Sequence, residues 1–228
     1  MDIVGHQKIS FIDYPHKICS VLFIGGCNFR CPYCHNGHIV QSQVPKLKIE
    51  EIFAFLQKKR KYLDGVCISG GEPTLYDELY RLIRSLKMDG FLIKLDTNGS
   101  NPKMLQRLIN ENMIDYIAMD IKAPLNRYNL VSGVNVNTND IQESVGLIQN
   151  FHGQYEFRTT VCKEILNRED IIQIAQWLKG SKQYYLQNFH DRDTVLKGKG
   201  QLKPYEKETL AEIMKEIEDY FEICRLRV

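Results

Sequence analysis

Along the 228-residue chain, short apolar or β-branched runs alternate with longer segments whose apolar residues recur every three or four positions. The runs fall at 20–24, 66–69, 91–96, 116–120, 155–161 and 184–189, lengths that suit buried strands. Between them Ile49, Ile52, Phe53 and Leu56 keep the spacing of one helix face, and Leu75, Leu79, Leu82, Ile83 and Leu86 approximate it. Both segments read as amphipathic helices. Asn101 followed by Pro102 predicts an N-cap with proline in the first turn, opening a helix that carries Met104, Leu105, Leu108 and Ile109. Further helices are predicted at 140–150, 169–178 and 206–221.

Consecutive parallel strands need a crossover, and strand-then-helix repeated six times therefore predicts a parallel α/β sheet. No proline- or serine-rich linker interrupts the alternation, so the expectation is one domain over 1–228, with a core at about 18–196 and a C-terminal helix at about 205–221. A closed eight-unit barrel takes about 250 residues. Six units at the same length per unit predict a partial, open (β/α)6 barrel, with a flat doubly wound sheet as the other arrangement.

Composition narrows the partners. Thirty Lys and Arg against 28 Asp and Glu leave a net charge of +2, too little for broad binding to nucleic-acid phosphates. No apolar run reaches the roughly 18 residues that a membrane span needs. The first residues lack the basic and apolar regions of a secretory signal, so the expected location is cytoplasmic. Seven cysteines without an export signal argue against a disulfide framework. Cys19, Cys67, Cys162 and Cys224 are scattered and read as small buried hydrophobes.

Cys27, Cys31 and Cys34 are different: they stand at C-x3-C-x2-C spacing directly after the first apolar run. Four chemistries compete for them. Cys31-Pro32-Tyr33-Cys34 alone matches a thiol-redox pair, but leaves Cys27 unexplained. Cys31 to His35 spells the c-type haem attachment signature, which normally belongs to exported proteins. A structural zinc site usually wants a second pair of ligands, and none is spaced for it. An iron–sulfur cluster held by three cysteines would leave one iron open to a substrate or cofactor, by analogy with the open position of catalytic metals.

The ends of the later strands support a shared site. The second ends in Ser69-Gly70-Gly71-Glu72-Pro73, the third in Asp96-Thr97-Asn98-Gly99 and the fourth in Asp120-Ile121-Lys122; the fifth carries Arg158-Thr159-Thr160 and the sixth ends in Gln187-Asn188-Phe189. Each taken singly also reads as a turn. Recurring at every strand end, they mark the rim where parallel barrels place active sites.

The cysteine spacing, the aromatic Tyr33 before the last cysteine and Gly70-Gly71-Glu72-Pro73 together resemble the radical S-adenosylmethionine (SAM) enzymes. Cys34-His35-Asn36, Asp96-Thr97-Asn98-Gly99 and Asp120-Ile121-Lys122 resemble the glycyl-radical activating enzymes within that superfamily. The wording of 26–36, 119–124 and 156–161 is similar to the activators of anaerobic ribonucleoside-triphosphate reductase, and the likeness runs from about residue 10 to 196.

The resemblance implies a partial barrel of the radical SAM type in which Cys27, Cys31 and Cys34 ligate a [4Fe-4S] cluster whose fourth iron binds S-adenosylmethionine. Tyr33 would lie against the adenine, Gly70, Gly71 and Glu72 along the methionine amino group, and Asp96, Asn98, Lys122 and Arg158 near the carboxylate and ribose. Asp96, Thr97 and Asp120 are also candidates for a monovalent cation. The implied reaction cleaves S-adenosylmethionine to a 5′-deoxyadenosyl radical that takes hydrogen from a glycine of a partner, the large subunit of anaerobic ribonucleotide reductase. Activation of pyruvate formate-lyase and small-molecule chemistry such as deazaguanine synthesis are the neighbouring alternatives. There is no cysteine-rich insert for a second cluster, so the electron would come from outside, from a flavodoxin or ferredoxin. One departure stands out: His16 follows Asp13-Tyr14-Pro15 where relatives often carry glycine, which questions how that loop meets substrate.

Lys58 to Lys61 reads as the solvated end of a helix, Lys197 to Gly200 as an exposed basic loop, and Trp177 as packing. His190 is the one isolated histidine beside the rim.

Overall fold

A computed structural model describes residues 1–41 and 44–227. Eight strands form one sheet in sequence order: β1 (Ile3–Ser10), β2 (Cys19–Ile24), β3 (Gly65–Gly70), β4 (Leu92–Thr97), β5 (Tyr116–Asp120), β6 (Gln154–Val161), β7 (Gln183–Asn188) and β8 (Ile223–Arg227). β1 runs antiparallel to β2, and every other neighbouring pair is parallel. The six expected strands are β2 to β7. Helices stand in the crossovers: α1 (Gly37–Val40), α2 (Ile49–Lys59), α3 (Glu78–Met88), α4 (Pro102–Asn110), α5 (Tyr128–Ser132), α6 (Thr138–Gln149), α7 (Arg168–Trp177) and α8 (Lys207–Ile217).

Local chemistry fixes the helix starts. Asn101 accepts a bond from the Met104 N–H ahead of Pro102, as the sequence predicts. Asn167 and Asp170 form a reciprocal capping box at α7. Three readings need correction. Leu75 lies in a short turn before α3 and is exposed, because Pro73 and the buried Glu72 carboxylate shape a separate turn there. The last helix stops at Ile217, and Phe221 leaves it to stack on Tyr184 at 4.8 Å between ring centres. Cys224 is only half-buried, because it sits on the edge strand β8.

Each strand divides its residues between two faces. Val66, Ile68, Ile93, Leu95, Ile117, Met119, Phe157 and Leu186 belong to the main core with the helices. The alternate residues Cys19, Val21, Cys67, Tyr116 and Ala118 form a second, small cluster with Tyr14. Tyr14 reaches it from the β1–β2 loop and meets Tyr116 edge-on. That loop therefore floors the inner face. Residues of β3, β4, β5, β6 and β7 line a single cavity at the strands' C-terminal ends. In a flat sheet β3 and β7 would stand about 19 Å apart, so the sheet curls around the cavity, and it stays open with β1 and β8 as its edges.

Candidate active site

The loop after β2 carries the three cysteines, and backbone contacts hold it from several sides. Gly26 adopts φ 80°, and a Cβ there would press on the Tyr76 hydroxyl, whose O–H donates to the Gly25 carbonyl at 2.7 Å. The Glu72 N–H donates to the Gly26 carbonyl at 2.9 Å. A Cβ on Gly71 would overlap that same carbonyl, so Gly71 is required for β3 and the cysteine loop to touch. Asn36 Nδ2 donates to the Gly70 carbonyl at 3.0 Å. From the far side, Leu196 N–H donates to Cys34 O at 2.9 Å and Lys197 N–H to Pro32 O at 3.0 Å.

Cys27, Cys31 and Cys34 all line the cavity, which measures about 240 Å³. Burial pushes the Cys27 thiol up to about 12 and the Cys31 thiol up to about 11, and also raises Cys34. A redox pair works through a low-pKa thiolate, so these thiols are the reverse of what that reading needs. Among the described residues no three His, Cys, Asp or Glu side chains converge on a point one metal ion could occupy. Asn98 Nδ2 lies 3.9 Å from Cys27 Sγ and donates to Asn28 Oδ1 at 2.9 Å.

Below the thiols lies a buried ion network on the inner face. Arg158 Nε donates to Asp120 Oδ1 at 2.8 Å, and its Nη1 lies 3.5 Å from Asp96. Lys94 pairs with Asp96, and Lys122 Nζ lies 3.4 Å from Asp120. Ser69 donates to Asp96 Oδ2 at 3.0 Å. One step deeper, Glu156 accepts two bonds from Arg227, at 3.1 and 3.0 Å, and one from the Tyr116 hydroxyl at 2.8 Å. Burial alone would raise Asp120, but Arg158 and Lys122 outweigh it and bring the carboxyl to about 2. Asp96 is lowered in the same way: burial opposes ionisation, and Arg158 with Lys94 prevails.

Tyr33, Gly70, Gly71, Asp96, Asn98, Lys122 and Arg158 thus share the thiols' cavity. Glu72 does not. Its side chain is fully buried and accepts from Thr74 N–H (3.0 Å), Thr97 Oγ1 (2.8 Å) and Asn98 N–H (2.6 Å), tying the end of β3 to the end of β4. Thr97 donates to Glu72, and Asp96 and Asp120 face Lys94, Lys122 and Arg158; all three line the thiols' cavity. His16 takes φ 61°, the left-handed region that favours glycine. The loop keeps its glycine-type backbone despite the histidine. His35 Nε2 lies 2.6 Å from the His190 carbonyl oxygen, and its ring stacks on Phe189, so His190 contributes its backbone there.

Lys94, Glu156 and Arg227 escaped the sequence reading. Lys94 and Glu156 each sit in an apolar strand at the same parity as Asp96 and Arg158, and that alternation was the available signal. Arg227 lies on β8, whose alternation of apolar and basic residues is short.

The donor set also suits a bound cofactor. Three neutral thiols supply soft ligands once deprotonated. The Tyr33 hydroxyl is buried without a hydrogen-bond partner among the described residues, and such an orphan calls for a missing group. With Lys122 facing the Tyr33 ring at 6.0 Å, the cavity offers an aromatic wall, a cation and carboxylates together.

The fold and site define a curled, open α/β barrel with a three-thiol loop over a charged interior. Residues 21–178 match the family model of the Radical SAM superfamily. A protein of Methanocaldococcus jannaschii, provisionally named a glycyl-radical enzyme activating enzyme, is 35% identical over 197 residues, covering 84% of this chain and 81% of its own. The pyruvate formate-lyase-activating enzyme of Staphylococcus aureus is 34% identical over 128 residues, about half of each chain at 51%. Streptococcus suis SuiB bound to S-adenosylmethionine shares the fold at a TM-score of 0.66 and 16% identity, over 91% of this chain and 52% of SuiB, so the chain spans about half of that protein. This chain belongs to the radical SAM superfamily and, within it, to the family of glycyl-radical activating enzymes. That family works with a [4Fe-4S] cluster and S-adenosylmethionine. Among the described residues no helix is long and apolar enough to cross a membrane.

Proposed function

We propose that this chain installs the glycyl radical of an anaerobic ribonucleotide reductase. The observation that carries the reading is one cavity shared by the three thiols and the Asp96–Arg158–Asp120–Lys122 network at the strands' C-terminal ends. Cys27, Cys31 and Cys34 would hold the cluster, and Tyr33, Gly70, Gly71, Asp96, Asn98, Lys122 and Arg158 would surround S-adenosylmethionine. Once bound, the cofactors supply one-electron cleavage of the sulfonium and a 5′-deoxyadenosyl radical able to take hydrogen from a glycine Cα.

The chain's own residues prepare that chemistry. Arg158 keeps Asp96 and Asp120 ionised, with Lys94 beside the first and Lys122 beside the second, so the network offers fixed charge and does not exchange protons near neutral pH. Cys31 and Tyr33 are 5% and 4% exposed, which keeps water from this wall of the site. Glu72 acts at one remove by fixing the strand ends.

Two features favour a protein substrate. A second cavity of about 250 Å³ shares His35, Thr160 and Gln187 with the first and continues to Arg227 on the open β8 edge, a route for an extended segment. The floor loop exposes Phe11 at 73% and Ile12 at 86%, a surface suited to a protein partner. The reductase is favoured over other glycyl-radical enzymes by the wording of 26–36, 119–124 and 156–161. The setting proposed is the cytoplasm. The test is anaerobic reconstitution followed by reduction with S-adenosylmethionine and the reductase: 5′-deoxyadenosine and methionine should form, faster with the reductase than with pyruvate formate-lyase. The reverse preference would reassign the partner, and no cleavage with any protein would overturn the reading.

A further inference from the structure

The three cysteines stand on one loop, and a different element fastens each part of it. Ahead of Cys27 the Gly26 carbonyl accepts the Glu72 N–H from the end of β3. Between Cys27 and Cys31 the Arg30 N–H donates to the Ser132 carbonyl of α5 at 2.7 Å. Beyond Cys34 the chain enters α1, a single turn of four residues, too short to hold itself. Asn36 ties this part to Gly70 by one side-chain bond, and the segment that follows β7 supports it from the opposite side.

Residues 189–204 form a closed loop of the Ω kind. Its neck is shut by Asn188, whose side-chain amide accepts the Tyr205 N–H at 2.9 Å and donates to the Tyr205 carbonyl at 2.8 Å. Val195, 4% exposed, plugs the loop into the main core, and Asp191 accepts the Gly200 N–H at 2.8 Å within the loop. From this base residues 190–197 run antiparallel to 32–37. Lys197 N–H donates to Pro32 O at 3.0 Å, Leu196 N–H to Cys34 O at 2.9 Å, and Gly37 N–H to Thr194 O at 3.2 Å. The His190 carbonyl can only accept, so His35 Nε2 carries the proton in their 2.6 Å contact. Four bonds thus cross between the two segments. Gly37 shows how close they run: a Cβ there would lie 2.8 Å from the Thr194 oxygen and 3.1 Å from Leu196 Cα, backbone atoms that cannot swing aside.

We propose that the 190–197 segment is a clamp that fixes the Cys34 end of the cysteine loop, with Asn188, Val195 and Gly37 as the positioning residues that set it. The inference rests on the proposed function only in taking Cys34 for a cluster ligand. A set of three cysteines has no spare member, so an end free to swing would let iron escape. The clamp suppresses that local opening. Its bonds to the cysteine loop run through the backbone of Thr194, Leu196 and Lys197, so the basic stretch 197–200 serves the site by its main chain, and Asn188 on the rim serves it by closing the neck.

Gly37→Ala is the sharpest probe, because alanine is the better helix former and Gly37 is not in the left-handed region, so only the contact with the clamp opposes it. Asn188→Ala opens the neck from the other end. Gly146→Ala on α6, where a Cβ meets nothing within 4 Å, is the control. In the reconstituted holoenzyme, anaerobic iron release to a ferrous chelator should be about tenfold faster in Gly37→Ala and Asn188→Ala, a change that one or two backbone hydrogen bonds supply, and unchanged in Gly146→Ala. In the full chain without iron, alkylation followed cysteine by cysteine by mass spectrometry should quicken about tenfold at Cys34 and stay within about twofold at Cys27 and Cys67. Iron release at the wild-type rate in Gly37→Ala, or equal quickening at Cys27, Cys34 and Cys67, which would mean general loosening, would overturn the clamp. A wild-type chain that binds no iron would break the proposed cluster, while the alkylation pattern would still decide the clamp.

Discussion

The two faces of β3 to β6 carry opposite kinds of residue. Toward the helices stand Val66, Ile68, Ile93, Leu95, Ile117, Met119 and Phe157, each fully buried and apolar. Toward the interior, alternate positions of the same strands carry Lys94, Asp96, Asp120, Glu156 and Arg158. Burying charge costs several kcal/mol per ion, and apolar isosteres of a buried pair are often as stable. That cost sets the network apart from the outer face, whose side chains contribute apolar burial. On the inner face the two kinds divide along the strands: Cys67, Tyr116 and Ala118 pack with Tyr14, and Asp96, Asp120 and Arg158 stand at the cavity.

The comparison breaks most sharply at the thiols. Cys27→Ala, Cys31→Ala and Cys34→Ala should each reduce iron from about four per chain to near zero, whereas Cys67→Ala and Cys162→Ala, in the two cores, should keep it; iron and sulfide analysis decides. On the outer face Phe157→Ala should cost about 3–5 kcal/mol in urea unfolding yet still permit reconstitution. Loss of the cluster at unchanged stability would invert the assignment of the two faces. Gly71→Val joins the regions. Its Cβ would strike the Gly26 carbonyl, so it should lower stability by about 1–3 kcal/mol and iron content together. Iron retained, with only S-adenosylmethionine binding lost, would show that Gly71 serves the ligand alone.

Acid sharpens the contrast further. Asp120 titrates near 2 in the folded chain against its ordinary 3.8. A depressed carboxyl contributes stability above the unfolded value and loses it as pH falls through the folded one. Stability should therefore drop between pH 3.8 and about 2, by about 1–2 kcal/mol once partial exposure is allowed for. Asp120→Asn should flatten that slope in urea titrations; an unchanged slope would place the acid sensitivity elsewhere. The smallest effect is expected at the exposed surface pair Arg168–Glu216, where Glu216→Ala should leave the urea unfolding midpoint nearly unchanged.

Much of this was legible in the residues. The six parallel strands announce themselves because strands buried on both faces are short and predominantly apolar, and the cysteine spacing and Tyr33 follow directly on the first. β1 and β8 did not, since edge strands are half-exposed: β1 carries Gly5, His6, Gln7 and Lys8, and β8 has only five residues. Glu72 looked like a ligand because it stands beside Gly70 and Gly71. Only the fold shows its carboxylate turned away, onto Thr74, Thr97 and Asn98. Lys94 and Glu156 were hidden by the apolar residues on either side, although their parity with Asp96 and Arg158 marked the inner face. Arg227 could not be paired with Glu156 from sequence, because 71 residues separate them.

On the proposed function, the charged interior and the three thiols act together on a partner's glycine. The most direct measurement is the electron paramagnetic resonance spectrum of the anaerobic reductase after incubation with the reconstituted, reduced chain and S-adenosylmethionine. A carbon-centred doublet on the reductase is expected, absent when the partner's radical glycine is replaced by alanine and absent with Cys31→Ala. A doublet that survives the glycine replacement, or no radical while S-adenosylmethionine is still cleaved, would contradict the account.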